Sequence, residues 1–376
     1  MNRRALSIVL AVLLLVGIGV AVARGRSGPG APGASPSASA GVTVHGVIGS
    51  EKAPFFADSQ VQAAFARHGL QVQVDTAGSR EMVTSTDLSR YDFAFPAGAP
   101  QGQAIKDKAK ARAAYVPFFT PMAVATFKPI VDLLTAAGVM RTSPGDGHLA
   151  LDIAGYLRLE QAHRRWSDLP NNPAYNVNRS ILISTTDVRT SNSAAMYLSL
   201  ASYVANHDNI LGDVGAADAV VGQTAPLFLE QGFIASSSEA PFQDYLTLGL
   251  GKAPMVMIYE AQFRGEQIAH DPAITADQRM LAYPSPTVYS KHTFVPLTAR
   301  GDSVGQLLTN DPELQHLAVR YGFRTGDAAY AASFAQQQKL PPLPGLVDVV
   351  DPPVFEVLDH LISAIAARYT MEATPS

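Results

Sequence analysis

Thr190, Ser191, Asn192 and Ser193 stand in a row between two apolar stretches. They belong to the hydroxyl-rich run Ser184–Tyr197, and Ile181 to Ile183 before that run read as the end of a buried strand. Behind them Ala194, Leu198, Ala201, Tyr203 and Val204 keep helical spacing as far as Ala205. Ser191 is a favoured N-cap residue, so the amides of Asn192, Ser193 and Ala194 are expected to point outward without helical partners. A helix start with hydroxyls around it and a guanidinium beside it is suited to an anion or another polar group. Arg189 is open to two readings: a bidentate clamp on a bound anion, or the ion-pair partner of Asp187.

Several elements must position these residues. Val42–Ile48 alternates as a first strand and ends in Gly49-Ser50-Glu51-Lys52. A helix capped by Asp58 runs to His68 and closes at Gly69, before a second strand Leu70–Asp75. Thr76-Ala77-Gly78-Ser79-Arg80 follows, then a third strand Tyr91–Phe95 ending at Pro96-Ala97-Gly98. A fourth element covers Ala113–Phe118 and Ala123–Phe127, interrupted at Pro117 and Pro121. This alternation predicts a parallel α/β lobe. Ligands of such sheets sit outside the carboxyl ends of the strands, where Ser50, Gly78, Ser79, Gly98 and Thr120 are expected.

A second lobe begins near Val131. Helices are predicted over Ile130–Ala137, 152–163, 215–231 and 240–249, and a buried strand over Pro254–Tyr259. Glu260 at its end is a candidate acceptor for a ligand amine or hydroxyl, or the partner of Arg264. Ala282–Pro296 reads as an extended return to the first lobe, with helices over 304–321 and 354–369 to close it.

Composition narrows the function. The 376 residues are 47% apolar, enough for a sizeable core, and carry 28 basic against 32 acidic groups. Leaving out Arg3, Arg4, Arg24 and Arg26 turns the formal charge of −4 into −8, which excludes the basic face of a nucleic-acid binder. The lack of cysteine excludes disulfides, thiolate metal sites, a cysteine nucleophile and a lipid carried on cysteine. No GxSxG elbow, Walker A loop or zincin motif occurs, so a hydrolase would need a dispersed site. Tyr259, Tyr283 and Tyr289 are the one phenolate set worth weighing for a metal, and no histidine or carboxylate partner accompanies them. The expectation is no catalysis, no cofactor and no metal.

Arg3 and Arg4 precede an uncharged run of 19 residues, Ala5–Ala23. A spanning helix needs about 17–25 residues, while Ala21-Val22-Ala23 fits a signal-cleavage pattern. Residues 1–26 are expected to form a single-pass anchor with the body outside the cell, cleavage near Ala23 being the alternative. Residues 27–41 are a Gly/Pro/Ser/Ala linker.

Taken together, the chain resembles type II periplasmic substrate-binding proteins. The resemblance rests on Gly49-Ser50, Gly78-Ser79, the Tyr91–Pro96 strand, the crossing segment Tyr115–Lys128, Thr190–Ser193 and Tyr259-Glu260. Its nearest flavour is the subgroup for oxyanions and small carboxylates, and it is similar to membrane-tethered binding proteins of high-GC Gram-positive bacteria. The resemblance implies two lobes, 42–128 with 285–376 and 129–284, joined by two crossing strands and closing by hinge motion on a ligand. It implies capture of a small oxyanion, carboxylate or polyol by a monomer for an ABC permease or for sensing. The contacts so expected are Ser50, Gly78, Ser79, Thr120, Arg189, Thr190, Ser191, Asn192, Ser193, Tyr259 and Glu260. Micromolar affinity needs about 8 kcal/mol, and a hydrogen bond to a charged group gives about 1.5–3, so donors from both lobes are required. The chain departs from the pattern in lacking a lipid-attachment cysteine, which leaves open a tethered ectodomain with an interaction or signalling role.

Overall fold

β1 (Val42–Ile48) is the hub of three parallel strands, with β2 (Leu70–Thr76) on one side and β3 (Phe93–Phe95) on the other. Ile48 lies opposite both Thr76 and Phe95, so the three carboxyl ends finish at one edge. The structure is a computed structural model describing residues 41–372 apart from 232–234, 236 and 277. The anchor expected over 1–26 and nearly all of the linker over 27–41 lie outside the described residues. From residue 41 onward the chain forms one compact unit. No described helix is long and apolar enough to cross a membrane.

Each parallel strand runs into a short helix. After β1 come a turn at Ser50–Lys52 and α1 (Ala53–Ala57), then α2 (Ser59–Arg67), capped by Asp58, which accepts from the Gln60 amide at 2.6 Å. Gly69 ends this unit with φ +73°, where a side chain would be strained. α3 (Ser79–Thr84) follows β2 and α4 (Ala99–Ala109) follows β3. Sequence periodicity did not resolve α1, α3 or α4, since each opens on a Gly, Pro or Ser-rich turn.

β4 (Tyr115–Phe127) is one strand of 13 residues, a correction to the interrupted element expected from its prolines. Its register shifts between Tyr115 and Phe118, where Pro117 removes a donor, and Pro121 pairs opposite Tyr289. Before Pro121 β4 pairs with β9 (Tyr289–Pro296) and with β10 (Arg324–Thr325). From Met122 on it pairs with β7 (Met255–Tyr259), and from Val124 also with β8 (Arg279–Ser285). β5 (Met140–Thr142) and β6 (Leu149–Asp152) extend that second half, giving the order β2-β1-β3-β9-β4-β8-β6-β5 with β7 and β10 also on β4. All five residues of β7, Met255 to Tyr259, are buried.

α5 (Lys128–Ala136) and α6 (Ile153–Gln161) match expected helices closely. Ile181–Ile183 forms no strand. Only Ser184 bridges β7, its amide donating to Met255 O at 2.9 Å and its carbonyl accepting from the Met257 amide at 2.8 Å. α7 (Asn192–Ala205) is buried on every side from Asn192 to Ser202, a core helix rather than the one-sided surface helix its spacing suggests. The helix expected over 215–231 breaks before Pro226 into α8 (Val214–Thr224) and α9 (Pro226–Leu229). α10 (Glu239–Thr247) lies near its expected place. Between β7 and β8 the chain inserts α11 (Glu260–Ile268) and α12 (Pro272–Ala276), and the extended return is two strands broken at Pro286. The helix expected over 304–321 is likewise two, α13 (Ala299–Asn310) and α14 (Pro312–Arg320), because Asp311 caps the second. α15 (Ala328–Gln337) and α16 (Phe355–Glu372) complete the body.

Candidate ligand-binding site

The edge where β1, β2 and β3 end faces the start of α7. The two approach so closely that a methyl on Gly78 would stand 2.5 Å from the Thr190 carbonyl oxygen. A methyl on Gly98 would stand 2.5 Å from Asn192 Oδ1 and 2.1 Å from Gln101 Oε1. Both glycines have ordinary negative φ, so what they provide is room rather than an unusual backbone. Arg80, just after Gly78, donates to the Arg189 carbonyl at 3.2 Å and tightens the same junction.

Asn192 is the centre of this junction. Its Nδ2 donates to Tyr259 OH at 3.1 Å and to Ser290 Oγ at 3.4 Å, joining α7, β7 and β9. Among the described residues no side chain caps the amides at the start of α7: Ser191 holds the N-cap position, but its hydroxyl pairs with Ser193 Oγ at 3.0 Å. Ser193 is fully buried and also meets Thr186 Oγ1 at 2.9 Å. Asn192 Oδ1, Gln101 Oε1 and Thr190 Oγ1 are buried with no hydrogen-bond partner among the described residues. Unspent acceptors in one place carry a desolvation cost that a donor would relieve. Burial, with the Glu51 charge second, pushes the Tyr259 hydroxyl far above its ordinary value, so it stays protonated.

Beside the junction opens a cavity of about 610 Å³. Ser50, Glu51, Tyr321 and Phe323 line it from one half of the sheet's surroundings, Glu239 and Tyr259 from the other. Ser50 Oγ and Ser237 Oγ meet across it at 3.3 Å. Behind the lining residue Glu51 lies a buried charged group that motif reading missed. Lys52 is fully buried, bonds the carboxylate of Glu51, and donates to His292 Nδ1 at 3.1 Å. An ammonium can only donate, so His292 carries its own proton on Nε2, which has no described partner. Burial lowers the Lys52 pKa, and burial together with the Lys52 charge holds His292 well below its ordinary value, so the ring is neutral. No sequence pattern marks this group, because its members are 240 positions apart.

Four expected contacts have other partners. Arg189 is gripped by the Asp187 carboxylate, Nη2 to Oδ2 at 2.7 Å, and its guanidinium lies 4.8 Å from the Tyr369 ring. Its ion-pair reading therefore prevails over the anion clamp. Thr120 lies inside β4 rather than at a strand end, and its hydroxyl accepts from the Ala261 amide at 3.0 Å to start α11. Ser79 Oγ accepts from the Ala97 amide at 3.0 Å and ties two turns together. Glu260 is buried against Arg324, not Arg264, with contacts of 2.8 and 2.6 Å, and accepts from Tyr283 OH at 2.7 Å. Tyr259, Tyr283 and Tyr289 do not converge: they meet Asn192, Glu260 and the Phe119 ring respectively. No group of three metal-ligating side chains occurs among the described residues.

No protein-family model matches the sequence, and a comparison with curated proteins finds no relative. Solved structures do match. Iron-bound HitA from Pseudomonas aeruginosa is similar at TM-score 0.50 and 10% identity, over 89% of this chain and 100% of that one. The periplasmic binding protein P5PA is similar at TM-score 0.50 and 12% identity, over 88% and 99%. The sulfate-binding protein SubI from Mycobacterium tuberculosis H37Rv shares 16% identity over 89% and 99%, at TM-score 0.48. Likeness at such identity speaks to fold alone. The mixed α/β fold matches that of iron-bound HitA and of the periplasmic binding protein P5PA.

Proposed function

We propose that this protein is an extracellular solute-binding protein that closes two lobes on a small polar ligand. The observation that carries the reading is the cavity of about 610 Å³ lined from both sides of the point where β4 changes partners. Residues 42–128 with 285–376 form one lobe in this reading and 129–284 the other, with β4 and the β8–β9 passage as hinges. The uncapped start of α7, the unspent acceptors around Asn192 and the hydroxyls of Ser50 and Tyr259 supply polar contacts. Residues 1–26 hold the body at the outer face of the membrane, and an ABC permease receives the ligand. The ligand is bound as a cargo, without chemistry and without a cofactor.

The absence of a lipid-attachment cysteine favours a second reading, a tethered ectodomain that binds its ligand for signalling rather than uptake. Thermal unfolding of the full-length protein against a panel of sugars, amines, amino acids, oxyanions and metal ions tests the shared part. A ligand at 100 times its dissociation constant adds about 2.7 kcal/mol of stability. A flat response across the panel, with no closure seen by small-angle scattering, counts against the binding role. A permease and ATPase co-purifying with the protein separate uptake from signalling.

A further inference from the structure

We propose that Glu51 fixes the charge class of the ligand: its carboxylate is a built-in anion seated on Lys52, so free anions are refused and the cavity takes a neutral or cationic solute. This rests on the solute-binding reading above. The seat is built from three elements. Lys52 is wholly buried, donates to His292 Nδ1 at 3.1 Å, and its ammonium lies 4.8 Å from the Phe95 ring. A buried ammonium needs a paired counter-charge, and the neighbouring residue supplies it. Both Glu51 oxygens lie against Gly49, where a methyl would come within 2.5 Å of each, so the carboxylate fills the turn that follows β1.

An arriving oxyanion has to expel Glu51 from this seat. The expelled carboxylate then enters a cavity that already holds Glu239 and Glu266, whose pKa is raised by burial and by Asp271 and Glu239 nearby. Among the described residues, the arginines of the junction and of β10 are already held by carboxylates: Arg189 by Asp187, Arg80 by Asp359 at 2.6 Å, and Arg324 by Glu260. That leaves Arg320 as the one arginine in the cavity lining, and it donates to Gln60 at 3.0 Å. Like charges in a low-dielectric space repel strongly, while an amine or a hydroxyl beside Glu51 meets acceptors.

The test uses full-length protein and three probes: sodium acetate, sodium sulfate, and sodium chloride at matched ionic strength. Glu51→Ala empties the seat and leaves Lys52 unpaired. Its melting temperature is expected to fall and to recover saturably with acetate or sulfate but not with chloride. Glu51→Gln fills the same space without charge and is expected to fall without recovery. Wild type is expected to bind acetate and sulfate at least about tenfold more weakly than Glu51→Ala. If Glu51→Ala fails to fold alone, its refolding yield is read with and without acetate. Acetate-dependent recovery supports the proposal, and anion-independent failure overturns it. Saturable binding of sulfate or acetate by wild type as tight as by Glu51→Ala overturns it too. A neutral or amine ligand bound by wild type, with no anion response from Glu51→Ala, leaves the solute-binding reading standing while this proposal falls. Anion recovery in Glu51→Ala without any wild-type ligand has the opposite meaning.

Discussion

Arg324 on β10 reaches Glu260 at the end of β7 with two N–H···O contacts, 2.8 and 2.6 Å long, and both side chains are largely buried. Arg324 lies on the strand paired with Phe118 and Phe119 of β4, and Glu260 opens α11 directly after β7, which pairs with β4 from Met122 on. This ion pair therefore ties together the two stretches of β4 on either side of Pro121. Removing one member of a buried pair costs about 3–5 kcal/mol because the other stays charged and unpaired. Glu260→Gln and Arg324→Met are each expected to lose that much in urea unfolding. The double variant should recover part of the loss. Equal and additive losses would show that the pair is not coupled.

Asn192→Ala removes the donor to Tyr259 and Ser290 and the side chain nearest Gly98. A stability loss of about 1–3 kcal/mol is expected from the acceptors left bare. Any solute that raises the melting temperature of wild type should raise that of Asn192→Ala far less. An unchanged response would remove Asn192 from the site.

Arg189→Ala gives a contrasting outcome. Because Asp187 and Tyr369 hold the guanidinium, the substitution should leave solute responses intact. Its half-exposed ion pair is worth about 0.2–1 kcal/mol. A tenfold loss of solute affinity would restore the anion-clamp role.

Gly78→Ala tests the closeness of the two halves. The added methyl would stand 2.5 Å from the Thr190 carbonyl oxygen, so the loop before α7 has to withdraw. Small-angle scattering should show a larger radius of gyration, and ligand response should weaken. Compaction identical to wild type would mean that the loop yields locally.

His292 gives a pH signature with a definite sign. Its folded pKa lies well below the ordinary 6.5, so between the two values the unfolded chain binds more protons than the folded one. Stability is therefore expected to rise with pH through that window and to fall as pH drops below about 6.5. His292→Gln can still accept from Lys52 and should flatten the slope between pH 5 and 7 in urea titrations. A slope unchanged by the substitution would assign the effect to other groups.

Much of the strand framework was legible because alternation and punctuation agree. β1, β2, α2 and its Asp58 cap follow from local pattern alone. Pro117 and Pro121 misled because a proline excludes a residue from a ladder only where its missing donor is needed, and β4 places one at a register shift. Ile181–Ile183 misled because buried apolar chain need not pair as strand. In the site, Asn192, Ser193 and Tyr259 were marked by loop chemistry, whereas Glu51, Lys52, His292 and Ser290 were invisible. Their meaning comes from a tertiary meeting of β1's turn with β9, and nothing in either segment announces the other.

The pairing of Phe93 with Pro296 has a consequence for how this chain comes into being. β3 sits mid-sheet, yet its second neighbour is synthesised only after both halves of the sequence between them. During translation β1 to β3 expose a raw edge, and no amount of local order can seal it early. The last quarter of the polypeptide is what completes the first, since β9 supplies the partner that β3 lacks until then.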